Sequence, residues 1–168
     1  YLYVAAWGTG ELRQYDVTDP FAPRHTGTVE LGGIAHRADH PSGRPWVGGP
    51  QMIEVSRDGA RLYVTNSLYS TWDPPFYPEG VPGAMAKIDA DPAGGISLDA
   101  DFLVELDGHR AHRVHLEGGD SSTDSSCFSR QRGRKRPARL LARHLPDGCP
   151  CPANPTTLVN ITKRPRGG

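Results

Sequence analysis

Leu62–Asp73 reads LYVTNSLYSTWD, and its two halves follow different rules. The first half is rich in β-branched and aromatic residues, as a strand requires. The second carries polar residues that a plain strand has no use for. The same opening triplet, Leu-Tyr-Val, stands sixty residues earlier at Leu2–Val4. Outward from these two anchors the punctuation is regular. Leu2–Trp7, Leu12–Val17 and His25–Leu31 are short strand-like stretches separated by GTG and DPFAP. A second set runs Gln51–Val55, Arg61–Asn66, Ala84–Asp89 and Asp101–Leu106, with SRDG and DPAGG as turns. Arg57-Asp58-Gly59 suits a tight hairpin, because glycine accepts the positive φ such turns need.

The two sets repeat each other. Leu2-Tyr3-Val4 matches Leu62-Tyr63-Val64, and Gln14-Tyr15-Asp16-Val17 occupies the place of Ala86-Lys87-Ile88-Asp89, each followed by an Asp-Pro turn at Asp19-Pro20 or Asp91-Pro92. A repeat of about 60 residues built of four short strands predicts an all-β chain made of β-propeller blades with long insertions. The first blade lacks its opening strand, since Tyr1 already stands inside a strand pattern, so the chain reads as a fragment with its start upstream. Two blades alone leave sheet faces uncovered, which predicts marginal stability and association through open edges.

The net charge of zero over 168 residues conceals two compositions. Ten of the 19 basic residues but only Asp147 of the 19 acidic ones lie in Arg130–Gly168, so residues 1–129 carry a formal charge of −9 and residues 130–168 carry +9. The basic part is dense in proline and glycine and lacks apolar periodicity beyond Leu140 and Leu141; it is expected to be a disordered tail. A nucleic-acid arm or a metal hook at Cys149 and Cys151 is one reading. A read-through or shifted frame that never had to fold is the other, and nucleic acid is not the expected partner. A CxC pair without a second pair falls short of a zinc site, and Cys127 as the only further cysteine supports no disulfide framework. With no apolar stretch near 18 residues and no signal peptide in view, a membrane span is not expected and a cytoplasmic location is.

Two linkers are long for strand connections, Gly32–Pro50 with His36 and His40, and Leu68–Gly83 with Trp72, Asp73, Phe76 and Tyr77. Such loops are often functional. These side chains either cover the sheet edge and meet solvent, or line a channel mouth. Arg13, Gln14, Tyr15 and Asp16 read as blade builders, with Asp16 bonding turn amides. Gln51 and Met52 follow Gly48-Gly49-Pro50, where glycines permit close backbone approach, although Met52 fits a core position. Asn66, Ser67 and Tyr69 are polar where the first blade has Ala6 and Trp7, which suits a pocket wall or a structural turn.

WGTGELRQYDVTDPFAPRHTGTVELGG at 7–33, GGPQMIEVSRDGARLYVTNSLYSTWDPPFYPEG at 48–80 and AHRVHLEGGDSSTDS at 111–125 together resemble the carboxyl-terminal part of the selenium-binding protein family, whose enzymatic members are methanethiol oxidases. The resemblance spans Tyr1 to about Ser129. It implies the last two blades of a seven-bladed propeller, a small thiol as substrate, and oxidation of methanethiol with oxygen and water to formaldehyde, hydrogen sulfide and hydrogen peroxide. It also implies copper held by histidines, with selenium as another possible ligand. The family pattern places a histidine at His112, six residues before Gly118, and this is the candidate metal ligand. Imidazole suits copper, and Asp120 or Asp124 could orient the second ring nitrogen. On spacing alone His112 is a lone histidine for which a structural role stands beside the metal role. His109 and His115 fall outside the pattern and read as surface residues. The family's selenium-attaching cysteine lies in a part absent here, so this stretch alone is not expected to turn over substrate. A non-catalytic selenium-binding or protein-docking propeller is the alternative.

Overall fold

The structure, a computed structural model, describes residues 1–66, 70–106, 109–116 and 156–161. Three strands, β1 (Leu2–Ala6), β2 (Glu11–Asp16) and β3 (Arg24–Glu30), form an antiparallel sheet in the order β1-β2-β3. β4 (Pro50–Val55), β5 (Arg61–Asn66), β6 (Ala84–Ala90) and β7 (Ile96–Glu105) form a second in the order β4-β5-β6-β7. The only helical piece among the described residues is a 3-10 turn at Ser70–Trp72. The predicted four-stranded sheet and its three-stranded predecessor are thus both present, each strand pairing with the next in sequence as in propeller blades.

The register corrects one expectation. Leu2 pairs with Tyr15 and Leu62 with Ile88, so Tyr15 is the counterpart of Ile88 and Gln14 of Lys87, one residue away from the match made on the Asp-Pro turns. The Asp-Pro pair simply stands one residue further along after β2, three residues past Asp16, than after β6, two residues past the equivalent Asp89. Both outer pairings carry an irregularity at this level, between Gln14 and Tyr15 in the first sheet and between Ala86 and Ile88 in the second. β7 also begins earlier than expected, at Ile96 rather than Asp101, because Ile96 and Leu98 pack against the core between the sheets.

That core explains why the sheets stack. Leu12 and Val29 of the first sheet meet Leu62, Val64, Ile88 and Ala90 of the second, with Tyr3, Ala5, Ile53 and Val55 around them. Each such fully buried aliphatic side chain contributes about 1.5–3 kcal/mol relative to exposure. Leu31 and Trp46 of the β3–β4 connection extend the core onto Ala84, Ala86 and Leu103. On the far face of the second sheet, Met85 and Tyr63 are buried with Phe102 and Val104 beside them, and β8 (Arg110–Leu116) approaches β4, β5 and β6.

In the tail expected to be disordered, Thr156–Ile161 forms β9, parallel to β8. TTLVNI has the β-branched content of a strand, a local signal masked by the proline and glycine on either side. No helix among the described residues is long and apolar enough to cross a membrane.

Candidate functional site

The β1–β2 turn, the β3–β4 and β5–β6 connections and the start of β8 meet at one end of the stacked sheets, and backbone packing holds them there. A Cβ at Gly49 would lie 2.1 Å from the carbonyl oxygen of Trp7, and one at Gly83 would lie 1.8 Å from that of His109. Both positions therefore require glycine. Asn66, at the end of β5, ties three segments together. Its Nδ2 donates to Val47 O at 2.7 Å and Pro82 O at 2.6 Å, and its Oδ1 accepts from Ala84 N at 2.7 Å. With its amide spent in this way, Asn66 is a buried strut and not a ligand-facing wall. Ser67 and Tyr69 lie outside the described residues.

Around this frame sit the aromatics of the second linker. Trp7 meets Phe76 edge-on, with centroids 5.5 Å apart, and Tyr77 at 6.4 Å. Tyr77 is 9% exposed, whereas Phe76 and Trp72 are exposed. The backbone amides of Phe76 and Tyr77 both donate to Asp73 O. The Asp73 carboxylate is buried and paired with Arg110 at the head of β8. Burial raises the pKa of the Tyr77 hydroxyl; Arg37 works against that shift and Asp73 with it. The linker residues are thus divided: Asp73 and Tyr77 are interior, while Trp72 and Phe76 face solvent on one side. Trp7, at the end of the first strand-like stretch, belongs to the same cluster. The shared aromatic character of GTG-flanked Trp7 and the STWD segment was the available signal.

The histidines separate in the same manner. His36 is exposed, and so is His109. His40 is buried at 1% exposure, with its Nδ1 2.8 Å from Ser42 Oγ. Burial, followed by the charge of Arg44, lowers its pKa against the opposing pull of Asp99, so the ring is held neutral. His112 lies on β8, two residues after Arg110. Its side chain is outside the described set, as are His115, Asp120, Asp124, Cys127, Cys149 and Cys151. Among the described residues no three His, Cys, Asp or Glu side chains converge, so these residues do not by themselves assemble a copper site.

The remaining candidates are structural. Asp16 accepts from Thr18 N at 2.9 Å, Thr18 Oγ1 at 2.7 Å and Arg24 at 2.8 Å, which holds its carboxyl well below the usual carboxylate range. Arg13 pairs with Glu11 in its own strand, and Tyr15 stacks edge-on with His25 at 5.4 Å. Gln14 is fully buried and bridges the two sheets. Its Oε1 accepts from Gly95 N at 2.7 Å and Thr26 Oγ1 at 2.8 Å, and its Nε2 donates to Tyr3 Oη at 3.2 Å. Gln51 and Met52 are half-buried on β4, and Met52 joins none of the apolar clusters among the described residues, so the core position expected for it is not found.

Comparison with known proteins places these features in a family. Residues 1–127 match the family model described as 56kDa selenium binding protein (SBP56), a match that stops just short of the charge break after Ser129. The chain is 40% identical over 149 residues to proteins named methanethiol oxidase from Xenopus tropicalis and from Homo sapiens, covering 74% of this chain and 32% of each relative. It is 39% identical to Selenium-binding protein 3 of Arabidopsis thaliana over the same length. The crystal structure of a hypothetical selenium-binding protein from Sulfolobus tokodaii superimposes with a TM-score of 0.69 at 57% identity, over 76% of this chain and 28% of that one. The chain therefore spans about a third of the length of the curated relatives it matches. With two stacked antiparallel sheets, an aromatic loop cluster at one end and this pattern of matches, the chain belongs to the 56 kDa selenium-binding protein family.

Proposed function

We propose that residues 1–127 serve within a complete propeller ring as part of a methanethiol oxidase, which converts methanethiol, oxygen and water to formaldehyde, hydrogen sulfide and hydrogen peroxide. The observation that carries this reading is the 40% identity over 149 residues to proteins named methanethiol oxidase, together with the family-model match over residues 1–127, which include the loop cluster and β8. His112 contributes one imidazole to a copper site whose other ligands lie outside this stretch, and copper would supply the electron transfer to oxygen. The cytoplasm is the proposed location. Within the described residues, the Asp73–Arg110 pair fixes the start of β8 against the β5–β6 connection, and so fixes the backbone that carries His112 relative to the loop end of the sheets.

The test is direct. Copper-loaded full-length protein carrying these residues should release sulfide from methanethiol, and residues 1–168 alone should not. Absence of sulfide from the copper-loaded full-length protein would refute the enzyme reading. It would leave a non-catalytic selenium-binding role, which the name of the Arabidopsis relative favours.

A further inference from the structure

The connection from β3 to β4 is pinned at both ends and held in between by a histidine. Towards β3, Gly32 and Ala38 bridge each other, N to O at 2.6 and 3.2 Å. Towards β4, Trp46 is buried against Leu103, with its Nε1 on Gly48 O at 3.0 Å. Between these anchors, residues 39–45 are tied to β7, the last strand of its sheet. Arg44 donates to Leu103 O at 2.8 Å. His40 is inserted to 1% exposure although Pro41, Ser42 and Gly43 beside it are exposed. The strap meets β7 where the strand leaves register with β6, between the pairs Leu98–Ile88 and Leu103–Ala86. An edge strand invites pairing with other chains, and this strap is its cover.

Ser42 N donates to His40 Nδ1 at 3.2 Å, which requires a lone pair there, so the neutral ring carries its proton on Nε2. Nε2 is buried without a hydrogen-bond partner among the described residues. A second proton must enter at Nδ1, where it meets the Ser42 N–H head-on. Ser42 Oγ, 2.8 Å away, can accept it, but the backbone bond that shapes the turn is lost and a full charge is left in a buried site. The charged groups acting on the ring are Arg44 of its own connection, which opposes the cation, and Asp99 of β7, which favours it together with the Asp99 and Phe102 backbone. Asp99 is already engaged by Lys87 Nζ of β6 at 2.6 Å and by Asp101 N at 2.9 Å.

We infer that His40 is a proton-operated latch on residues 39–45: the neutral ring holds this strap on β7, and the protonated ring swings out and carries the strap off the strand. The anchors at Ala38 and Trp46 stay in place, and the exposed turn from Pro41 to Gly43 gives the ring a way out that leaves the core untouched. Release frees Leu103 O and uncovers residues 99–103. Burial first, and then Arg44, keep the closed ring below its ordinary 6.5, whereas the open ring titrates near that value. Opening therefore takes up a proton: closure is whole above 6.5 and is lost as pH falls below it.

The experiment is amide hydrogen exchange by mass spectrometry on the full-length protein and its His40→Gln variant, at about pH 7.5 and 5.5, corrected for intrinsic exchange. In the parent, peptides covering residues 39–45 and 99–103 should exchange up to about tenfold faster at the lower pH, while β5 stays unchanged. The midpoint of that step should coincide with the midpoint of the His40 ring, titrated through its own C2 hydrogen in the same peptides. His40→Gln should show no step over these residues. A rise below about twofold in the parent overturns the latch. So does a rise shared equally by β5, a ring that titrates without a response of the strap, or a step that persists in His40→Gln. If that variant does not fold, the two midpoints of the parent decide alone: coincidence upholds the latch and separation overturns it.

Discussion

Replacing Gln14 with leucine tests whether the two sheets are latched as well as packed. Gln14 is fully buried in β2, and its Oε1 receives Gly95 N at 2.7 Å from the β6–β7 turn of the other sheet. Thr26 Oγ1 loses one of two acceptors in the Gln14→Leu variant, since it also reaches Gln14 O at 3.2 Å, so its share of the cost is small. Tyr3 Oη loses a long bond of 3.2 Å. The Gly95 amide loses its acceptor, and because the turn is only half-buried, water recovers part of the loss. Net values of about 1 kcal/mol per bond, with the low end of the orphaned-donor penalty for Gly95, give a destabilisation of about 2 kcal/mol after the gain from added apolar area. Equilibrium urea unfolding reads this as a lower midpoint at unchanged slope. The double variant with Tyr3→Phe should be less destabilised than the sum of the two single changes, by roughly 0.5–1 kcal/mol, because the bond they share is lost only once. A loss below about 0.5 kcal/mol for Gln14→Leu would refute the latch and leave the apolar core as the sole tie between the sheets.

Other outcomes follow from the same contacts. Gly83→Ala places a methyl group against the His109 carbonyl and should prevent β8 from docking, seen as faster amide exchange across residues 109–116. Asn66→Asp removes both donors to Val47 O and Pro82 O while burying a charge, and should cost more than 3 kcal/mol by urea unfolding, whereas a ligand-facing asparagine would tolerate the change. His40 has a folded pKa below its ordinary 6.5, so the unfolded chain takes the proton first: its contribution is whole above that value and declines as pH falls below it. A His40→Gln variant should flatten the stability profile between pH 7 and 5, distinct from the carboxylates Asp58 and Asp99, whose lowered pKa values confine their contribution to losses below about pH 4. The outer face of the first sheet exposes Leu2 and Val4 at 49% and 38%, so residues 1–168 alone should self-associate by sedimentation, and a stable monomer would contradict the need for a neighbouring sheet.

The strands were legible because alternation and turn residues are local. Leu-Tyr-Val, the Asp-Pro turns and Arg57-Asp58-Gly59 each act within a few residues, and seven strands followed from them. The register was not, since Asp19-Pro20 and Asp91-Pro92 invite an alignment that the extra residue after β2 displaces by one. β9 was missed because the composition of the tail outweighed six β-branched-rich residues. In the loop cluster, the polar and aromatic residues of the STWD–FYP segment were singled out correctly as a group, but their division into Asp73 and Tyr77 inside and Trp72 and Phe76 outside depends on Trp7 and Arg110 arriving from other strands. Asn66 reads in sequence as either a pocket wall or a structural turn; that it is a buried strut follows from two carbonyls and an amide that only the folded connections bring within reach.

The two ends of the sheets are built on opposite principles, and this accounts for where chemistry can reside. At the end carrying the β2–β3 and β4–β5 turns, each turn is mainly closed by its own residues. Asp16 holds Thr18 and Arg24, and Asp58 holds Ser56, Ala60 and Arg61, all within eight residues in sequence. The β6–β7 turn at the same end adds the cross-sheet tie from Gly95 N to Gln14, whereas these two turns rely chiefly on their own side chains. At the opposite end the connections are longer and satisfy one another: Asn66 binds across 16 to 19 residues, Arg110 reaches Asp73 across 37, and Trp7 abuts Gly49 from a different sheet. Segments that depend on one another in this way are fixed relative to each other without being drawn into either sheet. At that end the Trp7 indole Nε1 and the Tyr77 hydroxyl are shut from solvent and have no hydrogen-bond partner among the described residues.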